Sequence, residues 1–354
     1  MEDAAVIPRS TPAGDGFRMP AEWTPHAACY LAWPCKPETW LGYESDVKKA
    51  YVEVARAIAR FEPVVVLCTP RLITEARAQL GPGIFVEEME LDDAWIRDNG
   101  PTFVRSDRSE LAVVQFGFNS WGGKFPPFDK DAKVPEEIAR RLSLRNYRAP
   151  IIAEGGAITV DGQGTVITTE SCLLNPNRNP GCSKEEVENA LKAYLGVTKV
   201  VWLRRGMQSS QVDGHIDGIA SFVRPGTVLA AVVTDHGDPN FEIFRENREK
   251  LASETDARGH SIELLDLPYP TRRHLHDRRI AASFMNFYLA NGGVVVPTFG
   301  DPADDLALDT IRSAFPDREV VGVRGEYIGL GGGIIHCITQ QLPTGANLRG
   351  YPSA

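Results

Sequence analysis

The chain has 354 residues, 43% of them hydrophobic, and 38 Lys and Arg against 47 Asp and Glu give it a formal net charge of −9. That balance argues against a nucleic-acid or anionic-membrane surface and leaves solubility, or a cationic small molecule, as its readings. The six cysteines (Cys29, Cys35, Cys68, Cys172, Cys182, Cys337) lack the short paired spacings of zinc or redox sites, and no apolar run reaches bilayer length. A reducing compartment and a soluble cytoplasmic protein are therefore expected.

Residues 1–18 hold acids, prolines and glycines without the apolar stretch of a signal peptide and read as a flexible tail. No linker-like stretch interrupts residues 19–343, so 19–354 reads as one domain. Val47, Tyr51, Val54, Ile58 and Phe61 recur at helical spacing, and Val64–Leu67 follows as a short buried strand. The same order returns four times: 134–142 leads to 151–152, 183–195 to 200–203, 241–257 to 262–265, and 303–315 to 320–323. Strand pairs lie between these units, 157–160 with 165–169 across an Asp-Gly turn and 216–223 with 228–233 across Pro225-Gly226. Five helix-to-strand units fit radial repetition about an axis, or a doubly wound parallel sheet. The absence of a glycine-rich phosphate fingerprint counts against the second.

Four segments could carry chemistry. Cys337 follows the run Gly331-Gly332-Gly333, where backbone can approach a ligand closely and a thiol can attack an electron-poor carbon; read alone, it is better taken as a small buried hydrophobe on a final strand, as free cysteines usually are. In Asp213-Gly214-His215-Ile216-Asp217-Gly218, a strand would point His215 and Asp217 to one face, and an Asp- and Gly-rich turn is the alternative. Asp92-Asp93-Ala94-Trp95-Ile96-Arg97-Asp98 sets acids round a tryptophan, and Glu154 ends an apolar run at Gly155-Gly156. His336, next to Cys337, would face the other way on a strand and is read as structural.

These segments, with Met19-Pro20-Ala21-Glu22-Trp23, Phe118-Asn119-Ser120-Trp121-Gly122-Gly123, Asp129-Lys130-Asp131-Ala132, Asn175-Pro176-Asn177-Arg178-Asn179-Pro180 and His336-Cys337-Ile338-Thr339-Gln340-Gln341, occur in the order seen in the agmatine deiminases. From Met19 to Pro343 the chain resembles that family, one of the bacterial-type peptidylarginine deiminases among the guanidino-modifying enzymes. The resemblance implies an α/β fold, the five-bladed α/β propeller or pentein with pseudo-fivefold symmetry. It implies hydrolysis of a guanidino group to a ureido group and ammonia, agmatine giving N-carbamoylputrescine in polyamine biosynthesis, with no metal and no cofactor, and a homodimer.

By the same resemblance Cys337 is the nucleophile, His215 the acid and base, and Glu154 the hydrogen-bonded partner that orients His215. Asp98 and Asp217 hold the guanidinium, Trp95 lies along the substrate, and Trp121, Gln211, Gly332 and Ile334 line its site. The chain departs from the family pattern at Ile334, where an asparagine near the sulfur is usual, and at Gln211, where a glutamate serves the substrate's amine. Gly218, Ala157 and Glu326-Tyr327 differ as well. These changes spare the reacting groups and fall where substrate choice is decided. They leave open another guanidine, a biosynthetic intermediate or an arginyl peptide; an amidinotransferase shares the covalent intermediate, and a non-catalytic binding protein is the reading from another class.

Overall fold

The computed structural model describes residues 10–208, 210–271 and 273–348. After the two-residue β1 (Phe17–Arg18), the chain runs β2 (His26–Ala32), α1 (Glu44–Ile58), β3 (Val64–Cys68), α2 (Ile73–Leu80) and β4 (Phe85–Glu88). The next stretch holds α3 (Ile96–Asn99), β5 (Thr102–Ser106), β6 (Leu111–Gly117), the single turn α4 (Ser120–Gly123), α5 (Val134–Arg141) and β7 (Arg145–Ile152). Then come β8 (Thr159–Val160), β9 (Thr165–Thr169), α6 (Glu170–Leu173), α7 (Lys184–Leu195) and β10 (Lys199–Leu203), and after them β11 (Ala220–Arg224), β12 (Thr227–Val232), α8 (Phe241–Ala252) and β13 (Glu263–Pro268). The chain closes with β14 (His274–Leu275), β15 (Arg278–Arg279), β16 (Tyr288–Ala290), β17 (Gly293–Thr298), α9 (Asp304–Ala314), β18 (Glu319–Arg324), α10 (Glu326–Gly329) and β19 (Thr339–Pro343).

Apart from the lone antiparallel pair β14-β15, a single rule builds the sheets found among the described residues of this mixed α/β chain. Two strands pair antiparallel, a helix carries the chain back, and the next strand joins in parallel: β5-β6 then β7, β8-β9 then β10, β11-β12 then β13, β16-β17 then β18. The fifth unit joins the two ends of the chain, with β19 antiparallel to β2 and β3 and β4 added in parallel. Helix α1 shows why these segments form. Val47, Tyr51, Val54, Ala55 and Ile58 line its buried face, while Glu44 and Asp46 sit in its first turn, where they complement the helix dipole. At α7, Ser183 and Glu186 form a reciprocal capping box, so the helix starts one residue after the serine.

Several sequence expectations shift. Helix α1 spans 44–58 where the spacing predicts 47–61, and α8 stops at Ala252 where 257 is expected. The strand expected at 151–152 is the end of the longer β7, and 262–265 becomes 263–268. The strand expected from residue 216 starts at Ala220, because Ile216–Gly218 forms a 3-10 turn; Gly155–Ala157 does the same before β8. Residues 1–9 of the expected tail lie outside the described residues. Its remainder is built in: β1 pairs with β5, and the Tyr147 hydroxyl donates to Asp15 at 2.6 Å. Among the described residues no helix is long and apolar enough to cross a membrane.

Candidate active site

Loops between the units converge on a cavity of about 250 Å3 lined by Cys337, His215, Asp98, Asp217, Trp95, Trp121, Gln211, Gly332 and Ile334. Glu154, expected beside them, is fully buried behind His215 and does not line the cavity. Asp98 sits on the one-turn helix α3. Its carboxylate accepts hydrogen bonds from Trp121 Nε1 and from the Gly156 amide, both at 2.9 Å. Trp121 reaches it from a left-handed turn, with positive φ at Ser120, Trp121, Gly122 and Gly123. A left-handed non-glycine residue costs about 1–2 kcal/mol, and such strain persists where surrounding contacts impose it. Here the Asn119 side chain accepts from the Gly122 amide at 2.8 Å. Trp95 is wedged between Trp40 and Trp121, with ring centroids at 5.4 and 6.4 Å.

His215 and Asp217 do not share a strand. His215 precedes the 3-10 turn and Asp217 lies inside it, yet both line the cavity. His215 stands 3.7 Å from Asp98 and 3.8 Å from Glu154, charge contacts longer than hydrogen bonds, so the expected Glu154–His215 hydrogen bond is not formed and, among the described residues, neither ring nitrogen has a hydrogen-bond partner. The other Glu154 oxygen accepts from Arg178 Nε at 2.5 Å, and Arg178 Nη1 reaches Asp213 at 2.8 Å. Cys172, Glu154 and His215 present donor atoms within 4.8 Å of one another, a set that could hold a metal, but Arg178 already supplies a cation to Glu154.

Asp217 Oδ2 receives Asn286 Nδ2 at 3.1 Å, contacts His336 Nδ1 at 3.0 Å, and lies 3.4 Å from Cys337 Sγ. His336 keeps the structural reading, outside the cavity lining, but not for the reason expected of it. Residues 335–338 form a turn ahead of β19, so His336 and Cys337 do not alternate across a strand and both meet Asp217. The far nitrogen of His336 contacts Glu22 Oε1 at 3.0 Å, and Arg97 reaches Glu22 at 3.4 Å. Two glycines shape the cavity walls. A Cβ at Gly332, whose φ is +98°, would lie 2.3 Å from Gln211 Oε1, and one at Gly333 would lie 2.9 Å from Cys337 Sγ.

The charges follow from this packing. Burial disfavours the imidazolium of His215, but Asp98 and then Cys172 and Glu154 outweigh it and hold its pKa well above the ordinary histidine value. Burial raises Asp98, partly offset by His215. Asp217 is lowered, because His336 and His215 overcome its burial. Burial, then Asp217 and Asp98, push the Cys337 thiol well up. These shifts favour the thiol form of Cys337 and the charged form of His215. The site can take a flat cation between Asp98 and Asp217, above a sulfur that the cation would help to ionise.

Asn286, Glu22 and Arg97 have no role in the sequence reading. Asn286 stands outside every quoted motif, whereas Glu22 and Arg97 lie inside two of them without a chemical reason attached. Residues 18–343 match the model of the Porphyromonas-type peptidyl-arginine deiminases. The chain belongs to that family. It is 42% identical to an agmatine deiminase of Stutzerimonas stutzeri (strain A1501), over 94% of this chain and 97% of the relative. A solved agmatine deiminase of Enterococcus faecalis superposes with a TM-score of 0.92 at 39% identity, over 96% of this chain and all of the other. A cysteine-to-serine variant of the C. jejuni agmatine deiminase with substrate bound gives 0.84 at 26% identity, over 94% and 97%.

Proposed function

We propose that the protein hydrolyses a guanidino small molecule, agmatine first among the candidates, to the ureido product and ammonia through a covalent adduct on Cys337. The observation that carries this is the approach of the Cys337 sulfur to Asp217 at 3.4 Å in a cavity that Asp98 and His215 also line. Asp98 and Asp217 bind the guanidinium nitrogens, and Trp95 lies along the substrate. The bound cation favours the Cys337 thiolate, which attacks the central carbon. The imidazolium of His215 gives its proton to one nitrogen, and ammonia leaves an amidino-thioether. His215, now neutral, takes a proton from water as its oxygen bonds to the same carbon. The C–S bond then breaks, the hydroxyl proton passes to solvent, where the ammonia already released becomes ammonium, and thiolate and imidazolium are restored. Glu154 acts through charge on His215, itself held by Arg178.

The far end of the substrate meets neutral Gln211, where the family resemblance leads one to expect a glutamate. Glu38, exposed on the cavity rim, has no hydrogen bond or ion pair among the described residues, whereas Asp93, Asp98 and Asp217 all do. It is the carboxylate free to receive an ammonium there. The five repeated units support closure as a five-bladed α/β propeller, residues 19–354 acting as one catalytic domain.

Ammonia release across agmatine, arginine, arginyl peptides and a butylguanidine of equal length tests the reading. Mass spectrometry of an acid-quenched reaction should place the adduct on Cys337, and Cys337→Ser should lower turnover by several orders of magnitude. Label on another cysteine would end the assignment. Discrimination of agmatine over butylguanidine should fall in Glu38→Gln.

A further inference from the structure

Ile334, which lines the cavity beside the turn that bears Cys337, offers the sulfur no polar side chain, so the polar support of this nucleophile has to come from elsewhere. The neighbours of the thiol are unfavourable to an anion. Asp217 lies at 3.4 Å, Asp98 lines the same cavity, and the nearest imidazole on its own turn, that of His336, is spent between Asp217 and Glu22. His215 faces Asp98 and Glu154, and Arg97 turns its guanidinium to Glu22 and the His336 carbonyl.

Asn286 breaks this pattern. It is 4% exposed, sits two residues before β16, and lines the cavity. Its Nδ2 donates to Cys337 Sγ at 3.3 Å as well as to Asp217 Oδ2. Its Oδ1 accepts the amide of His336 at 3.0 Å and that of Cys337 at 3.4 Å, and its backbone carbonyl also accepts from the His336 amide, at 3.1 Å. One end of the amide thus fixes the turn that bears the nucleophile, and the other faces the sulfur and the carboxylate beside it. We propose that Asn286 is a catalytic residue of this deiminase, the neutral donor that holds the Cys337 thiolate against Asp217 while the guanidinium is attacked. An aspartate at this position would clash electrostatically with Asp217, and a hydrophobe would take the side-chain acceptor from the buried Cys337 amide and the donor from the sulfur. An asparagine meets both demands.

The inference rests on Cys337 being the nucleophile, and the experiment separates the two. Asn286→Asp keeps acceptors for the His336 and Cys337 amides but removes the donor and adds a negative charge near the sulfur. Asn286→Ala removes the donor without adding charge. Inactivation of the free enzyme by iodoacetamide, followed against pH with the label mapped by mass spectrometry, reads the ionisation of Cys337 directly. The midpoint should move upward by about one unit or more in Asn286→Asp and in the same direction, by less, in Asn286→Ala, with kcat falling at least about tenfold and KM changing less. A role confined to anchoring the turn would leave the midpoint of Asn286→Ala in place, because the added charge of Asn286→Asp raises the midpoint in either case. A native profile in either variant that retains the native melting transition overturns the proposal. Label on a cysteine other than Cys337 strikes instead at the deiminase reading.

Discussion

A methyl group on Gly156 would lie 2.7 Å from His215 Nδ1, 2.8 Å from Asp98 Oδ1 and 2.9 Å from Asp217 Oδ2. Real carbon atoms do not approach so closely, so three reacting side chains would have to separate, and overpacking of this kind costs about 1–3 kcal/mol. Gly156→Ala is expected to lower kcat by at least about a hundredfold while unfolding shifts only modestly, because misplacement by an ångström is costly to catalysis. Steady-state kinetics beside a thermal melt checks this, and near-native turnover would show that the site tolerates the displacement. The two guanidinium carboxylates offer a second test at this scale. Asp98→Asn keeps an acceptor for only one of Trp121 Nε1 and the Gly156 amide, which bond different oxygens, and loses the charge, while Asp217→Asn can keep one oxygen toward Asn286, His336 and the sulfur but loses the charge. Each should reduce kcat/KM by about 2–5 kcal/mol, and a variant with native kinetics would remove that residue from the substrate site.

The turn of residues 335–338 is the element that delivers the nucleophile, and it is clamped from several sides. The Arg97 amide donates to the Cys337 carbonyl at 3.2 Å, Arg97 Nε to the His336 carbonyl at 3.3 Å, and Thr339 Oγ1 to the Ile335 carbonyl at 2.8 Å. Thr339 is fully buried, so Thr339→Val keeps the shape and strands a carbonyl; a loss of about 1–3 kcal/mol of stability is expected, with kcat falling more than KM rises. Denaturant unfolding and steady-state kinetics on the same preparation would read both. This element also marks the limit of what the sequence discloses. Helical spacing locates α1, α5, α7, α8 and α9 to within a few residues, because burial on one face imposes the period. Motif order brings Cys337, His215, Asp98 and Asp217 into one set. Alternation misleads at 215–217 and 336–337, where short turns replace strands, since a turn with buried side chains has no period to read. Asn286 escapes notice for a different reason: its partners lie 51 and 69 residues away along the chain, and no local pattern signals them.

Across the whole molecule, a line of buried charge runs from Arg97 through Glu22 and His336 to Asp217, joining the loop before β2, α3, the nucleophile turn and the turn before β11. Burial opposes ionisation of Glu22, but His336 and then Arg97 overcome it and lower its pKa from an ordinary 4.5 to about 2. Burial and Arg97 oppose the charge on His336, and Glu22 and Asp217 overcome them, raising it above its ordinary 6.5. A lowered carboxylate contributes stability that is present above its unfolded pKa and is lost as pH falls toward the folded value; a raised histidine contributes stability that is present below its unfolded pKa and is lost as pH rises through the folded value. The cluster should therefore support the fold most strongly between about pH 4.5 and 6.5 and fade on both sides. Glu22→Gln removes the group that titrates on the acid side and one of two anions from the imidazolium. Breaking a buried ion pair costs about 3–5 kcal/mol, so the variant should be less stable near pH 5.5. Its stability should also change less than the native protein's between pH 4.5 and 2.5, and its decline on the alkaline side should begin at lower pH because His336 has lost a partner. Unfolding midpoints in urea across that range, for both proteins, carry the decision: parallel curves offset by a constant would mean that Glu22 contributes packing rather than charge.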